Sequence, residues 1–235
     1  LKKLKMRHKY YNQALKAFLI GINAADPVSA VRQELIGYDE VPTVIAVGKA
    51  AVKMTISAVD VLKDYAEVIV VTNPENAIEM PGIKVFAAAH PIPDQIGLLA
   101  SEAVVAALQR ASKVCRPILC LISGGGSALL PAPRDGISLD EKIELNSVLL
   151  SAGAEIKTMN LIRQQVSLLK GGGLLQYAAP SSVSSLILSD VVEDDLCVVS
   201  SGLTTSPIGS REEARLALKR LRIWDRIPES IQALM

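Results

Sequence analysis

The strongest constraint on this chain is an abrupt change of character near its middle. Pro117-Ile118-Leu119-Cys120-Leu121-Ile122 is an unbroken apolar run, and it gives way at once to Ser123-Gly124-Gly125-Gly126-Ser127. Apolar residues without polar alternation suit a strand covered on both faces, as in a parallel sheet flanked by helices. Three glycines can hold backbone N–H groups in conformations that a Cβ forbids, and the flanking serines add hydroxyls. Consecutive amides in such a turn form a concavity that fits an anion. The same five residues also read as a flexible turn, so the company they keep must decide between the two.

That company is regular. Strand-like segments at 43–47, 67–72, 84–88, 117–122, 182–188 and 196–200 alternate with helical patterns at 50–62, 96–110, 138–151, 158–169 and 210–221. Hydrophobic residues make up 50% of the chain but aromatics only 3%, so the core must come from Val, Ile, Leu and Ala. The alternation predicts an α/β protein with a parallel sheet and right-handed crossovers. Before it, Tyr11, Leu15, Phe18, Leu19 and Ile22 recur at helical spacing over residues 8–23, and Asp26-Pro27 caps and opens a second helix. Ser138 with Glu141 and Ser210 with Glu213 form capping boxes. Gly153 and the run Gly171-Gly172-Gly173 read as helix C-caps. A chain of 235 residues holds one large domain or two small ones, and no linker or repeat divides this one.

The unusual residues fall just after the strands: Gly48-Lys49, Asn73, His90, the Ser123–Ser127 loop, Ser189-Asp190 and Ser201-Gly202. In open parallel sheets ligands bind outside the carboxyl ends of the strands, so these residues should line one rim. Known nucleotide loops do not fit it. A P-loop ending at Gly48-Lys49 would need Gly at 43 and Ser or Thr at 50, where Thr43 and Ala50 stand. A dinucleotide fingerprint on Gly124 and Gly126 would need Gly or Ala at Leu129. Lys49, at a strand–helix junction, reads as a site residue rather than a surface charge. Asp190, Asp194 and Asp195 suit either a hydrated Mg²⁺, which takes one or two carboxylates beside phosphate oxygens, or plain capping and solvated loop charge. His90 reads as a buried, hydrogen-bonded histidine rather than a base, and Lys170 equally as a partner of a helix dipole.

Several function classes are disfavoured. A formal net charge of +1 argues against a nucleic-acid surface. Cys115, Cys120 and Cys197 lack C-x-x-C spacing, which leaves a reducing cytoplasm as the expected home. No apolar run nears the roughly 18 residues of a membrane span, so no membrane is expected. The basic start, Leu1-Lys2-Lys3-Leu4-Lys5-Met6-Arg7, is followed by too short an apolar stretch for a targeting signal.

Taken in order, the landmarks resemble the N-terminal domain of the class II glycerate kinases, the family with a C-terminal MOFRL domain formerly often described as hydroxypyruvate reductases. They are Val47-Gly48-Lys49-Ala50-Ala51, Thr72-Asn73-Pro74-Glu75-Asn76, His90-Pro91-Ile92-Pro93-Asp94 and Ser123-Gly124-Gly125-Gly126-Ser127-Ala128-Leu129. Met159-Asn160-Leu161-Ile162-Arg163, Ser167-Leu168-Leu169-Lys170-Gly171-Gly172 and Ser189-Asp190-Val191-Val192-Glu193-Asp194-Asp195 complete the series. The resemblance covers residues 24–202 and implies a Rossmann-like three-layer α/β/α sandwich over residues 1–235. It implies ATP-dependent phosphorylation of D-glycerate to 2-phosphoglycerate with Mg²⁺. Lys49 would act at the substrate or the transferring phosphate. Ser123, Gly124, Gly125, Gly126 and Ser127 would cradle an anion, and Asn160, Arg163 and Lys170 would add polar contacts. Asp190 would serve metal binding or hydroxyl activation, with Asp194 and Asp195 beside it as metal ligands.

The chain departs from the family in places. Gln164-Gln165 stand where the family has Lys-His, Glu193 stands where it has Gly, and Leu203 stands where it has Pro. The MOFRL domain is absent from this sequence, so the chain reads as a fragment of a longer kinase or as a stand-alone domain with weakened or altered activity, with a homo-oligomer or a missing second domain as the expected partner. Two alternatives stand beside the kinase: an NAD(P)H-dependent hydroxypyruvate reductase and a non-catalytic anion-binding domain.

Overall fold

The computed structural model describes the backbone of residues 2–235 and the side chains of residues 10–235. The side chains of the basic start, expected not to be a targeting signal, lie outside the described residues. Five strands form one sheet: β1 (Thr43–Val47), β2 (Glu67–Thr72), β3 (Lys84–Ala87), β4 (Ile118–Ser123) and β5 (Val183–Leu188). Their spatial order is β3-β2-β1-β4-β5, and every neighbouring pair is parallel. The register sets Val44 beside both Val68 and Leu119, and Leu121 beside Leu186. β1 and β4 are buried along their whole length, which is why their sequences run apolar without alternation.

The helices are α1 (Lys2–Ala24), α2 (Pro27–Glu34), α3 (Ala51–Val61), α4 (Gln95–Lys113), α5 (Gly126–Leu129), α6 (Leu139–Ser151), α7 (Ile156–Gln165), α8 (Gly173–Ala178), α9 (Arg211–Arg220) and α10 (Glu229–Leu234). Successive strand residues point to opposite faces, and each face gains its own helical cover. Val44, Ala46, Val70, Leu119 and Leu121 pack with Val31 of α2 and with Met54 and Ala58 of α3. Ile45, Ile69, Ile118 and Ile122 pack with Val104 and Leu108 of α4 and with Leu174 of α8. This is the expected three-layer α/β/α sandwich. A third core was not foreseen: Leu145 and Leu149 of α6, Ile162 of α7, Ala214 and Leu218 of α9 and Ile231 of α10. It forms a helical cluster beside the sheet.

Local chemistry fixes the helix ends. The Asp26 carboxylate accepts from Ser29 N ahead of Pro27, and the Asp94 carboxylate accepts from Gly97 N. Both capping boxes form, Ser138 with Glu141 and Ser210 with Glu213. Each such cap is worth about 1 kcal/mol.

Two expectations are corrected, and two features of the N-terminal stretch stand beside them. The segment 196–200 is not a strand: Ser200, Ser201 and Gly202 all take left-handed φ (50°, 60° and 67°), which no ladder accommodates. Gly171-Gly172-Gly173 do not end a helix. α7 has already stopped at Gln165, and Gly172 precedes Gly173, the first residue of α8. The apolar side of α1 does not face a core, and Phe18 is 65% exposed. Finally, the stretch Tyr10–Glu34 reaches the length and mean hydropathy, 1.3, of a membrane span. Its apolar residues are interspersed with polar ones, and the chain breaks within it at Asp26-Pro27 to start α2.

Candidate active site

The sheet order reverses direction between β1 and β4, and in open α/β sheets that switch point opens a crevice at the carboxyl ends. The loops after these two strands are sewn together there. Lys49 N donates to Gly124 O at 2.9 Å, and Ala50 N donates to Ser123 Oγ at 3.0 Å. Gly48 sits at φ +124°, and a Cβ there would overlap Ser123. The close approach of the two loops therefore requires glycine. The rim expected from the order of the sequence is formed.

Gly125, at φ +92°, is the point on which the charged groups converge. A Cβ built on it would lie 3.1 Å from Lys49 Cγ and 3.5 Å from His90 Cδ2. Lys49 and His90 thus lie across the loop from two different strand ends. His90 is exposed and lines the cavity described below, not buried as the sequence suggested. Partial burial, and then the Lys49 charge, lower its pKa, while Glu75 opposes them, so the imidazole is neutral near pH 7. Glu75 is held by Asn73, whose amide donates to its carboxylate, and its own pKa is lowered first by a backbone hydrogen bond and then by Asn73. At Gly124 the neighbour is acidic, because a Cβ there would overlap the Asp190 carboxylate. The loop therefore carries a cation over one glycine and an anion against the next.

Ser200 and Ser201, in the left-handed turn that replaced the expected strand, brace the loop from below. Ser200 Oγ donates to Ser123 O at 2.7 Å, and Ser201 Oγ lies 2.7 Å from Ser127 Oγ. Ser201 Oγ in turn donates to Asn160 Oδ1 at 2.7 Å. Gln164 Nε2 donates to Ser201 O at 3.1 Å, and Gln164 Oε1 accepts from Ile208 N at 2.8 Å. Left-handed residues other than glycine cost roughly 1–2 kcal/mol each, so this turn persists because several partners hold it.

Between the loop and the helical cluster lies a cavity of about 240 Å³ lined by His90, Pro91, Gly125, Ser127, Ala128, Asn146 and Arg163. Arg163 Nε donates to Asn146 Oδ1 at 2.7 Å, which aims the guanidinium and leaves its remaining N–H groups for a ligand. Behind it stand two buried lysines. Lys170 Nζ donates to Leu130 O at 2.8 Å, and Lys142 Nζ donates to Pro131 O and to Val166 O. Burial, then the Arg163 charge, lowers the Lys170 pKa to about 7. Burial, then Lys170, Arg163 and Arg134, holds Lys142 well below the ordinary lysine value. Arg163 is thus the cation of the cavity wall itself, and it suits an anion.

Of the residues singled out in sequence, Lys49, Ser123 to Ser127, Arg163 and Asp190 meet around the loop. Asn160 is buried and reaches Ser127 only through Ser201. Lys170 is 4% exposed and does not line the cavity; α7 ends at Gln165, so Lys170 does not serve that helix, and its Nζ instead meets the C-cap carbonyl of α5 at Leu130. Asp195 Oδ1 accepts from Cys197 N, and Asp194 lies exposed in a turn at φ 52°. Among the described residues no three His, Cys, Asp or Glu side chains form a group able to hold a metal. Sequence reasoning missed Ser200, Gln164 and Asn146, whose parts depend on which loops the helical cluster brings together.

Residues 13–235 match the family model described as a domain of unknown function, DUF4147. The chain is 38% identical over 189 residues to a glycerate 2-kinase of Pyrococcus horikoshii, covering 80% of this chain and 42% of the relative. It is 34% identical over 226 residues to a putative hydroxypyruvate reductase of Agrobacterium vitis, covering 94% of this chain and 50% of the relative. The crystal structure of a Thermotoga maritima glycerate kinase superposes with a TM-score of 0.88 at 32% identity, over 97% of this chain and 55% of that one. The chain thus spans about half the length of the relatives it matches.

Proposed function

Because the chain belongs to the DUF4147 family, the N-terminal domain of the glycerate 2-kinases, we propose that it carries the glycine-loop half of a site that transfers the γ-phosphoryl group of ATP to the 2-hydroxyl of D-glycerate. The observation that carries this reading is the convergence of Lys49, His90 and the backbone of Gly125 above an arginine-lined cavity. Phosphoryl transfer needs positioning and charge stabilisation more than covalent help from the protein. The Arg163 guanidinium, aimed by Asn146, takes the glycerate carboxylate. The Lys49 ammonium, at the loop crest, stabilises negative charge on the phosphoryl group in transit. The cavity, about 240 Å³, suits a three-carbon acid.

A magnesium ion wants hard oxygen ligands, and Asp190, lying against the Gly124 backbone, supplies one carboxylate of the one or two it needs beside phosphate oxygens. Asp190 would hold it, and the ion would neutralise phosphate charge; Asp194 and Asp195 would act only through its water shell. The three cysteines are free, which supports a cytoplasmic setting. The reductase alternative would need a small residue at Leu129, which is fully buried instead.

The test is ADP release by the chain with ATP, Mg²⁺ and D-glycerate, beside NADH oxidation with hydroxypyruvate. Glycerate-dependent ADP release that falls about a hundredfold or more in Lys49→Ala supports the kinase. Glycerate binding that depends on Lys49, without turnover, identifies a binding half. NADH consumption, or the absence of both activities and of binding, overturns the reading.

A further inference from the structure

The hydroxyl chain behind the glycine loop has a direction. Asn160 Oδ1 can only accept, so the single hydrogen of Ser201 Oγ is committed to it at 2.7 Å. Ser127 Oγ lies 2.7 Å from Ser201 Oγ, and that contact needs a hydrogen that Ser201 no longer has. Ser127 must therefore supply it. Its own hydrogen points inward, away from the cavity that Ser127 lines, and what it offers the cavity is lone pairs.

A carboxylate or phosphate oxygen at Ser127 would meet lone pair with lone pair. A ligand hydroxyl would find an acceptor. On the same wall Arg163, with Nε bound to Asn146, offers N–H donors to a carboxylate. A donor fork and a hydroxyl acceptor in one small cavity recognise a hydroxy acid, and a simple carboxylic acid, ionised near neutral pH, has no donor for the second. We infer that Ser127 is the specificity-determining residue of this cavity, accepting a hydrogen bond from a substrate hydroxyl rather than donating one to an anion, with Ser201 and Asn160 as positioning residues that fix its hydrogen. The inference rests on the proposed kinase reading and assigns Ser127 the part of recognising a hydroxyl of its acceptor.

Calorimetric titration of the chain with D-glycerate and with propionate, the same three-carbon acid without hydroxyls, tests it. Wild type should bind glycerate about tenfold more tightly than propionate, and Ser127→Ala should abolish that ratio by weakening glycerate alone. Ser201→Ala, outside the cavity, should also shrink the ratio, because it frees the Ser127 hydrogen to turn toward the ligand. Thermal melts establish that each variant is folded, and the wild-type ratio does not depend on them. Equal weakening of both acids by Ser127→Ala, an unchanged ratio in either variant, or no preference in wild type overturns the inference. ADP release with a ratio indifferent to Ser127 would refute this inference and leave the kinase standing. A Ser127-dependent ratio without ADP release would do the reverse.

Discussion

Replacing Lys170 by Met removes a buried ammonium while keeping the length and most of the volume of the side chain. Lys170 is buried, its ammonium donates to Leu130 O, and no carboxylate accompanies it. Its pKa falls from an ordinary 10.5 to about 7 on folding. A shift of that size corresponds to roughly 4–5 kcal/mol between the two protonation states, at about 1.4 kcal/mol per unit. The folded chain sheds this proton first, so between about pH 7 and 10.5 the unfolded chain binds more protons and stability rises with pH. Below pH 7 both states carry the charge and the folded state bears the full penalty. From pH 6 to pH 9 the penalty is relieved by about 3 kcal/mol. Lys170→Met lacks this dependence but also loses the hydrogen bond to Leu130 O, worth about 1–3 kcal/mol when a buried acceptor is left unpaired. Urea unfolding of both proteins at pH 6, 7, 8 and 9 should therefore show the variant at its greatest advantage at pH 6. That advantage should shrink by about 3 kcal/mol by pH 9. The neighbouring Lys142 titrates in both proteins, and losing the repulsion from Lys170 adds to the variant's advantage at low pH. Parallel pH profiles would refute the reasoning.

Gly124→Ala should leave thermal stability within about 1 kcal/mol, because the atoms its Cβ meets belong to the exposed Asp190 side chain, which can swing away. It should still impair any Mg²⁺-dependent step, and it should have no added effect in an Asp190→Ala background, as a double-mutant cycle would report. Glu193 occupies a left-handed position at φ 66°, which glycine adopts without a Cβ penalty, so Glu193→Gly should stabilise the chain by about 1 kcal/mol. A melting temperature raised by roughly 2–4 °C would show it.

Much of the fold was legible because the forces that set it are local or periodic. Strands β1, β2 and β4 are apolar between their end residues since both faces are covered, and the capping pairs Ser138–Glu141 and Ser210–Glu213 announce their helices within four residues. The rim was legible too, because in a parallel sheet the order of loops after strands translates directly into neighbourhood. What failed depended on contacts distant in sequence. Val199 and Leu203 are buried like strand residues, yet Ser200 and Ser201 between them adopt left-handed backbone to reach Ser123 and Ser127 more than seventy positions away. Lys170 and Asn160 read as site residues by type and motif, but the helical cluster buries both, one beneath the loop and one behind Ser201. His90 erred the other way. Its apolar neighbours suggested a core histidine, whereas the end of β3 turns it onto the loop crest.

The central claim is that the Ser123-Gly124-Gly125-Gly126-Ser127 loop and Arg163 together hold an acid substrate. Backbone amide chemical shifts, followed while D-glycerate is titrated into the isotope-labelled chain, test this residue by residue. The largest changes should fall at Gly124 to Ser127, His90 and Arg163, and they should be greatly reduced in Arg163→Ala. Changes that spare the loop and gather instead in the groove of about 310 Å³ between α2 and β5, lined by Pro27, Val31, Met54 and Leu186, would contradict the claim.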